Sequence, residues 1–510
     1  MAASIEIGAS PEGIQSMALK RANRHGLIAG ATGTGKTVTL QVLAEAFARE
    51  GVNVFAADIK GDLSGCAANG DPAPAWAVAR AAEINLPLTP EAMPAVFWDV
   101  YGELGHPVRT TVTEMGPVLM GRVLEATDAQ AGALTIAFRI ADDWIKAGKN
   151  EGLLLDLNDL RALLTYLSEN AEEVGKQYGL VTPQSIAALQ RKLLQLEMDG
   201  ADHFFGEPAF KLEELLRTRP DGKGTINVLA SERLVQSPRL YSAFLLWLMS
   251  ELWEELPEVG DQDKPKLVFF FDEAHLLFRD APKELINRVE QVVRLIRSKG
   301  VGIYFVTQSP ADIPEIVLSQ LGNRFQHALR AYTPSDQKAV RAAAQSFRAN
   351  ENVDVAKEIQ ELNVGEALVS TLDEKGAPTP VARTKIRPPN SHVGPILLAE
   401  RQTMMRANTA GRAYEKTIDR ESAHEILGRR AQQAAEATAR EEEREAREKE
   451  AARSSRSSGA GTSRAKSTRS SGGSRTTAVE RQTGRVASGV MNTIVRELMR
   501  GILGTPRRRR

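Results

Sequence analysis

The sequence is poor in several features that would assign it to a particular class of protein. Its 510 residues include a single cysteine, Cys66, which excludes an internal disulfide and is typical of a reducing cytoplasm. Aromatic residues make up 5% of the chain, too few to indicate a platform for stacking nucleic-acid bases. The longest apolar runs, such as Leu267–Phe271, are far shorter than the roughly 18 residues of a membrane-spanning helix. We therefore expect a cytoplasmic protein, with no secretory signal at residues 1–12 and no membrane insertion.

Acidic residues are scarce in the C-terminal segment 451–510. This segment contains 14 Lys and Arg against 2 Asp and Glu, a net charge of +12. Because the formal net charge of the whole chain is zero, the preceding residues carry −12. A basic tail on an acidic body indicates either a polyanionic partner, such as DNA, or a contact between the tail and its own acidic body.

The chain contains the complete phosphate-binding P-loop pattern, formed by Gly30, Ala31, Thr32, Gly33, Thr34, Gly35, Lys36 and Thr37 and followed by Val38. A short apolar stretch at 25–29 predicts a strand before it, and the apolar spacing at 38–49 predicts a helix after it. The glycines let backbone N–H groups surround phosphates at the helix N-terminus. Lys36 is expected to reach the β- and γ-phosphates and Thr37 to bind Mg²⁺. The pattern therefore predicts binding of ATP with Mg²⁺.

A second motif completes the same chemistry. The apolar run Leu267–Phe271 predicts a buried strand, and Asp272 and Glu273 follow at its carboxyl end. Ligands bind at the carboxyl ends of strands in open α/β sheets. We expect Asp272 to hold Mg²⁺ through a water molecule and Glu273 to act as general base for the attacking water.

Polar residues also follow two other predicted strands. Residues 301–306 predict a strand that ends in Thr307 and Gln308, and Gln308 is the better candidate to contact the γ-phosphate or the attacking water. A simple strand-end cap is the alternative. Residues 58–62, which include Lys60, follow a predicted strand at 52–57, and here a functional loop and a structural loop remain equally open.

Arginines supply candidates for stabilising the transition state. Arg324 is a candidate arginine finger, which would act on the nucleotide of a neighbouring subunit. An ordinary surface salt bridge is the alternative for this residue. Arg24 is a weaker candidate for the same electrostatic role.

The order of strand, loop, helix and strand predicts an α/β fold with a mainly parallel central sheet. A C-terminal helix after a disordered linker is also a candidate docking element for a protein partner. The predicted parts are a P-loop ATPase core at 1–71 and 223–398, a helical insertion at 72–222, a charged helical extension at 399–450, a disordered basic Ser/Arg/Gly linker at 451–478, and an amphipathic helix with a basic end at 479–510.

Taken together, the chain resembles the HerA-like branch of the HerA/FtsK class of P-loop ATPases, close to the YjgR-like bacterial proteins. The resemblance covers about residues 5–400 and is carried by the segments 22–37, 58–63, 271–275, 306–310, 321–330 and 364–369. It implies a RecA/FtsK-like core, a ring that is most often hexameric, and ATP hydrolysis coupled to movement of duplex DNA. It also implies that Gln308 is the sensor and that Arg324 or Arg330 is the finger acting in trans.

One departure from the family limits this inference. HerA itself carries a β-barrel domain before its P-loop, whereas only residues 1–29 precede the P-loop here. Two functions therefore stay open: a ring motor that translocates or remodels DNA, and an ATP-driven switch that remodels a protein partner without DNA translocation.

Overall fold

The computed structural model describes residues 3–260, 262–278 and 283–458. In these residues the strands are β1 (Ser4–Ser10), β2 (Gly13–Ala18), β3 (Gly26–Ala29), β4 (Asn53–Asp58), β5 (Ala95–Asp99), β6 (His106–Pro107), β7 (Ile226–Ala230), β8 (Leu267–Phe271), β9 (Val301–Thr307), β10 (Asn323–Gln326), β11 (Glu366–Ser370) and β12 (Ala382–Ile386). The helices are α1 (Lys36–Arg49), α2 (Ala75–Glu83), α3 (Val112–Val123), α4 (Asp128–Lys146), α5 (Leu157–Glu169), α6 (Ala171–Gln177), α7 (Pro183–Met198), α8 (Pro238–Glu255), α9 (Lys283–Leu295), α10 (Glu315–Leu318), α11 (Pro334–Gln345), α12 (Val355–Glu361), α13 (Leu398–Ala407) and α14 (Ala423–Ser458).

All of these strands belong to one sheet, in the order β2-β1-β12-β11-β10-β3-β9-β8-β4-β7-β5-β6. Neighbouring strands from β10 to β6 pair in parallel. The strands at the other end, from β2 to β10, pair antiparallel. The fold is therefore the predicted α/β P-loop NTPase fold with a mainly parallel central sheet.

The centre of the sheet is built from strands that are apolar on both faces. Every residue of β8 and β9 is buried. Parallel strands covered by helices on both sides have near-continuous apolar sequences, which explains the run of apolar residues from Leu267 to Phe271. Helix α1 packs against this sheet through Leu40, Leu43 and Phe47, all almost fully buried. The polar residues that follow β3, β8 and β9 are consequently gathered at one edge.

The structure adds strands that the sequence patterns did not indicate. The predicted helical insertion at 72–222 contains β5 and β6, which extend the parallel part of the sheet beyond β7. Near the N-terminus, the hairpin of β1 and β2 forms the opposite edge. In β1 the two isoleucines, Ile5 and Ile7, are buried on either side of Glu6, but the small and polar residues that surround this short alternation hide the pattern.

The chain contacts divide the protein into two compact units. The first contains the residues up to Thr135, 155–157 and Thr182–Asp419, and it includes the whole sheet. The second contains Ile136–Leu154, Asn158–Val181 and the residues from Arg420 onward. The elements of the second unit in the part of the chain that the structure describes are helices.

Helix α14 continues to Ser458 and thus includes 451–458, which composition assigns to a disordered linker. The rest of the predicted linker and the predicted amphipathic helix at 479–510 lie outside the described residues. Within the described residues, no helix has both the length and the apolar character required to cross a membrane.

Candidate active site

The P-loop connects β3 to α1 and is tied to both neighbours of β3. The N–H of Gly30 donates to the carbonyl of Thr307 in β9 (3.2 Å), and the N–H of Ala31 donates to the carbonyl of Ala328 after β10 (2.8 Å). Thr34 closes the loop by donating its hydroxyl to the Ala31 carbonyl (2.7 Å). The loop therefore has a fixed shape at the carboxyl edge of the parallel strands.

Two glycines of the loop meet requirements that no other residue satisfies. Gly35 begins α1 with φ of 107°, a left-handed conformation that side chains rarely adopt. At Gly30, an added Cβ would lie 2.5 Å from the Cβ of His327. The glycine spacing of the motif thus follows from both the turn into the helix and the close approach of His327.

His327 packs against the P-loop as a neutral side chain. Its Nε2 lies 2.9 Å from the hydroxyl of Thr39, and its Nδ1 lies 2.8 Å from the carbonyl oxygen of Glu366. Burial lowers the pKa of His327 to about 4, and the charge of Lys36 contributes in the same direction. The residue therefore braces the P-loop without adding a positive charge to the phosphate site.

Lys36 is buried, and its ammonium lies inside the loop. Its Nζ donates to the carbonyls of Gly30 (2.6 Å) and Ala31 (3.1 Å). Burial lowers the pKa of Lys36, and the charge of Lys60 lowers it further, while Glu273 acts in the opposite direction. The ammonium is thus held by weak neutral acceptors, which a phosphate oxygen can replace with a charge-assisted bond.

The two acidic residues predicted at the end of β8 lie where the motif requires them. Asp272 and Glu273 are 5% and 7% exposed, and burial raises the pKa of Asp272. Asp272 Oδ1 accepts the N–H of Glu273 (2.9 Å). Glu273 has φ of 46° and ψ of 48°, a left-handed conformation that is uncommon outside glycine. The chain therefore turns sharply at Glu273.

The carboxylate of Glu273 is shared by three side chains. Oε1 accepts the ammonium of Lys60 at 2.6 Å, and Oε2 accepts the amide of Gln308 at 3.3 Å. Nδ1 of His275 lies 3.3 Å from Oε2. Burial acts to raise the pKa of Glu273, but Lys60, Gln308 and His275 together lower it below its usual value. Glu273 is therefore an ionised carboxylate at the edge of the sheet.

The structure brings Gln308 to this carboxylate because β9 and β8 are neighbours, paired in parallel. The preceding residue, Thr307, instead donates its hydroxyl to Asp312 at 2.7 Å and is fully buried. Gln308 is exposed, and its side-chain amide contacts the carboxylate of Glu273. Thr307 is the last residue of β9 and Gln308 follows it, and of these two only Gln308 is hydrogen-bonded to Glu273.

The three candidate arginines, Arg24, Arg324 and Arg330, occupy different parts of the sheet and its connections. Arg24 precedes β3 and so lies at the opposite end of that strand from the P-loop. Arg324 lies in β10, where its backbone is in register with Leu27 of the neighbouring strand β3. Its guanidinium donates to the carbonyls of Leu318 and Leu321 (both 3.1 Å). The guanidinium of Arg324 is therefore bound to backbone carbonyls of its own chain. Arg330 is exposed and follows Ala328, the residue that binds the P-loop backbone.

Two site residues had no role assigned from sequence. For Lys60, the sequence leaves a functional and a structural loop equally open. Its distance from Glu273 along the chain carries no information about their contact. His327 appears only as one residue in a segment of family resemblance. Both positions depend on strands that are distant in sequence, so the signal that identifies them is three-dimensional.

The residues present fit a magnesium ion that is held jointly with a nucleotide. The hydroxyl of Thr37 at the start of α1 and the carboxylate of Asp272 after β8 are oxygen donors of the kind Mg²⁺ prefers. Over the residues that the structure describes, no group of three His, Cys, Asp or Glu side chains could hold a metal ion. The pair of Thr37 and Asp272 is the kind of site that Mg²⁺ uses, because this ion takes its further ligands from water and phosphate.

Comparison with known proteins finds two relatives that match part of the chain. Two proteins of Methanocaldococcus jannaschii, the probable helicases MJECL08 and MJ1565, are 30% identical over 156 residues and 34% identical over 113 residues. These matches cover 28% and 21% of this chain, and only 28% and 20% of those proteins.

The fold comparison returns more distant proteins. The bacterial conjugative coupling protein TrwB is 16% identical with a TM-score of 0.48, covering 77% of this chain and 93% of that chain. VirB4 of Thermoanaerobacter pseudethanolicus is 16% identical with a TM-score of 0.49, covering 76% of this chain and 97% of that chain. The family model described as "Helicase HerA-like C-terminal" matches residues 5–510. The chain therefore belongs to the HerA-like helicase family of P-loop ATPases.

Proposed function

We propose that the protein hydrolyses ATP in the presence of Mg²⁺. The observation that carries the proposal is the convergence of Lys36, Glu273 and Gln308 at the carboxyl edge of β3, β8 and β9. A phosphate-binding loop, an ionised carboxylate and an amide at one sheet edge are the parts needed for attack of water on a γ-phosphate.

In the proposed reaction the N–H groups of Gly30 and Ala31 hold the loop in place, and those from Thr32 to Val38 bind the phosphates. Lys36 neutralises charge on the β- and γ-phosphates. Gln308 orients the attacking water with an amide that both donates and accepts. Glu273 accepts the proton of that water as its oxygen bonds to the γ-phosphorus, while the bond from the γ-phosphorus to the β–γ bridging oxygen breaks and ADP leaves. Bound Mg²⁺, held by Thr37 and by Asp272 through water, would neutralise phosphate charge.

We further propose that the protein works as a ring, with a hexamer favoured, in which an arginine of one subunit stabilises the transition state in its neighbour. Arg324 and Arg330 are the candidates. The exposure of Arg330 and its position two residues after Ala328 support it, although its guanidinium donates to the carbonyl of Gln360 at 3.5 Å. The guanidinium of Arg324 donates to two carbonyls of its own chain at 3.1 Å.

The proposed substrate of the motor is duplex DNA, and the proposed location is the cytoplasm. Family membership and the net charge of +12 on residues 451–510 support DNA as the polymer. The net charge of −12 on the remaining chain favours the second candidate, an ATP-driven machine that remodels a protein partner.

DNA-stimulated turnover distinguishes these two candidates. ATP hydrolysis is measured with and without duplex DNA, for the full chain and for a chain truncated after Glu450. The DNA motor predicts that duplex raises turnover, and that truncation weakens DNA binding and its salt dependence while leaving basal turnover intact. Turnover that is indifferent to duplex DNA at every salt concentration would favour the protein partner.

A further inference from the structure

The loop after β4 places a second lysine beside the candidate general base. Asp58 ends β4, and its buried carboxylate accepts the backbone N–H groups of Lys60 (3.2 Å), Gly61 (2.9 Å) and Leu63 (2.9 Å). A side chain that accepts bonds from the following N–H groups stabilises a tight loop. The side chain of Lys60 therefore starts from a backbone whose position is fixed.

The ion pair formed by Lys60 divides the two oxygens of Glu273 between different partners. The ammonium contacts Oε1 at 2.6 Å. The other oxygen, Oε2, accepts the amide of Gln308 at 3.3 Å and faces Nδ1 of His275 at 3.3 Å. The Lys60 contact thus restricts the rotation of the carboxylate, with one oxygen facing Lys60 and the other facing Gln308.

The environment of this pair differs from that of a surface salt bridge. The side chain of Lys60 is 39% exposed, but that of Glu273 is only 9% exposed. Exposed pairs contribute little because both side chains move freely in water. Here the carboxylate is largely withdrawn from water and the lysine backbone is fixed, so the contact restricts the orientation of the carboxylate.

We propose that Lys60 is a positioning residue for catalysis, which holds the Glu273 carboxylate so that Oε2 meets the water oriented by Gln308. The inference rests on the proposed ATP hydrolysis. Lys60 acts through Glu273, so its removal lowers the rate of the chemical step and leaves nucleotide binding intact. A misplaced catalytic group costs on the order of 100-fold in rate even when the group itself is present.

Two other roles for Lys60 predict different results. A second phosphate-binding lysine would lower ATP affinity when removed, as expected for Lys36. A lysine that holds Glu273 in an inactive position would raise turnover when removed. The three roles are therefore separated by measuring turnover and affinity on the same variants.

The test uses Lys60→Met, which removes the charge and keeps the length, and Lys60→Arg, which keeps the charge. Turnover is measured with radiolabelled ATP, and affinity with a fluorescent ATP analogue. We expect Lys60→Met to lower kcat by about 10- to 100-fold with affinity within about twofold of the parent. We expect Lys60→Arg to recover most of that loss.

A matched control and a double variant exclude a general structural effect. Lys223 also forms a half-exposed ion pair, with Glu91, far along the chain from the P-loop. Lys223→Met should leave both measurements unchanged. Glu273→Gln removes the base, so adding Lys60→Met to it should lower the residual rate by less than about twofold, because coupled residues are not additive.

The outcomes are distinguishable from failure of the proposed function. A parent that folds and does not hydrolyse ATP would overturn the proposed function and the inference with it. A parent that hydrolyses ATP would overturn the inference alone under any of three results: Lys60→Met turning over normally or faster, affinity falling together with kcat, or the effects of Lys60→Met and Glu273→Gln multiplying in full.

Discussion

Glu273 combines an unfavourable backbone conformation with the strongest set of contacts at the site. Its left-handed φ of 46° costs of order 1–3 kcal/mol for a residue with a side chain. Such conformations persist where the surroundings determine them, and here the buried strand β8 and the contacts to Lys60 and Gln308 do so. The turn brings the carboxylate back over the sheet edge, where the phosphates are expected.

The buried His25 is expected to make the stability of the protein depend on pH. It is buried, and its Nδ1 accepts the N–H of Ile303 at 3.0 Å. Burial lowers its pKa to about 4, and the charges of Arg297 and Arg24 lower it further against the opposing backbone hydrogen bond at Val293. Below about pH 6.5 the unfolded chain therefore takes up a proton that the folded chain refuses, and stability is lost as the pH falls.

The variant His25→Asn removes this titration and keeps a polar side chain beside the N–H of Ile303. We expect the stability advantage of the parent over His25→Asn to shrink by about 2 kcal/mol between pH 7.5 and pH 5. Urea unfolding at the two pH values measures it. A difference between parent and variant that does not change with pH would show that His25 is not neutral in the folded protein.

At the residue scale, the sequence predicts the groups that belong to local motifs. Lys36, Thr37, Asp272 and Glu273 were predicted because each occupies a fixed place beside a strand end. The partnership of Glu273 with Lys60 was not predictable, since it depends on the pairing of β4 with β8. The bonding of Arg324 to the carbonyls of Leu318 and Leu321 was equally invisible, because an arginine after a turn is also typical of an exposed finger.

Helix α1 has a second function besides presenting the P-loop. Its buried Glu45 accepts the N–H groups of Asn390 (2.8 Å) and Ser391 (3.0 Å), and also the hydroxyl of Ser391. One turn earlier, Gln41 donates to the hydroxyl of Ser391 (2.7 Å) and the carbonyl of His392 (2.8 Å). The helix thereby anchors the segment that leads from β12 to α13.

This anchor predicts a large effect for a single carboxylate. Glu45→Ala leaves buried N–H groups without an acceptor, so the free energy of unfolding should fall by about 3 kcal/mol. The control is Glu50→Ala at the exposed end of the same helix, which should change stability by less than about 0.5 kcal/mol. Urea unfolding of both variants measures the difference. Equal stabilities would contradict the anchoring role of α1.

At the element scale, the central strands were predictable and the edges of the sheet were not. The strands β4, β8 and β9 are continuous apolar runs, because helices cover both faces of a parallel sheet. Strand β5 is short, follows a proline-rich stretch, and owes its pairing with β7 to residues more than a hundred positions away. The hairpin of β1 and β2 is half exposed, and its pattern was too weak to identify.

At the scale of the whole molecule, the proposed ring predicts that active sites are shared. An arginine acting in trans contributes roughly 10³–10⁵ in rate because it meets charge that develops in the transition state. Arg330→Ala should therefore lower turnover far more than ATP affinity. Mixing Arg330→Ala subunits with Glu273→Gln subunits should restore part of the activity, since some interfaces combine an intact base with an intact neighbouring arginine.

The same mixture made with Arg324→Ala identifies the finger, because only the variant of the true finger complements Glu273→Gln. Arg324→Ala should also lower stability, since it removes two bonds to the carbonyls of Leu318 and Leu321. An absence of recovery for both arginines, at all mixing ratios in rings shown to exchange subunits, would contradict a finger acting in trans at either position.

The central claim is that Glu273 is the general base of a magnesium-dependent ATPase. The most direct test compares ATP turnover and ATP affinity of Glu273→Gln with those of the parent. The exchange keeps the size of the side chain and removes the base, so we predict a turnover at least about 100-fold lower with ATP still bound. A Glu273→Gln protein that hydrolyses ATP at the parental rate would contradict the account.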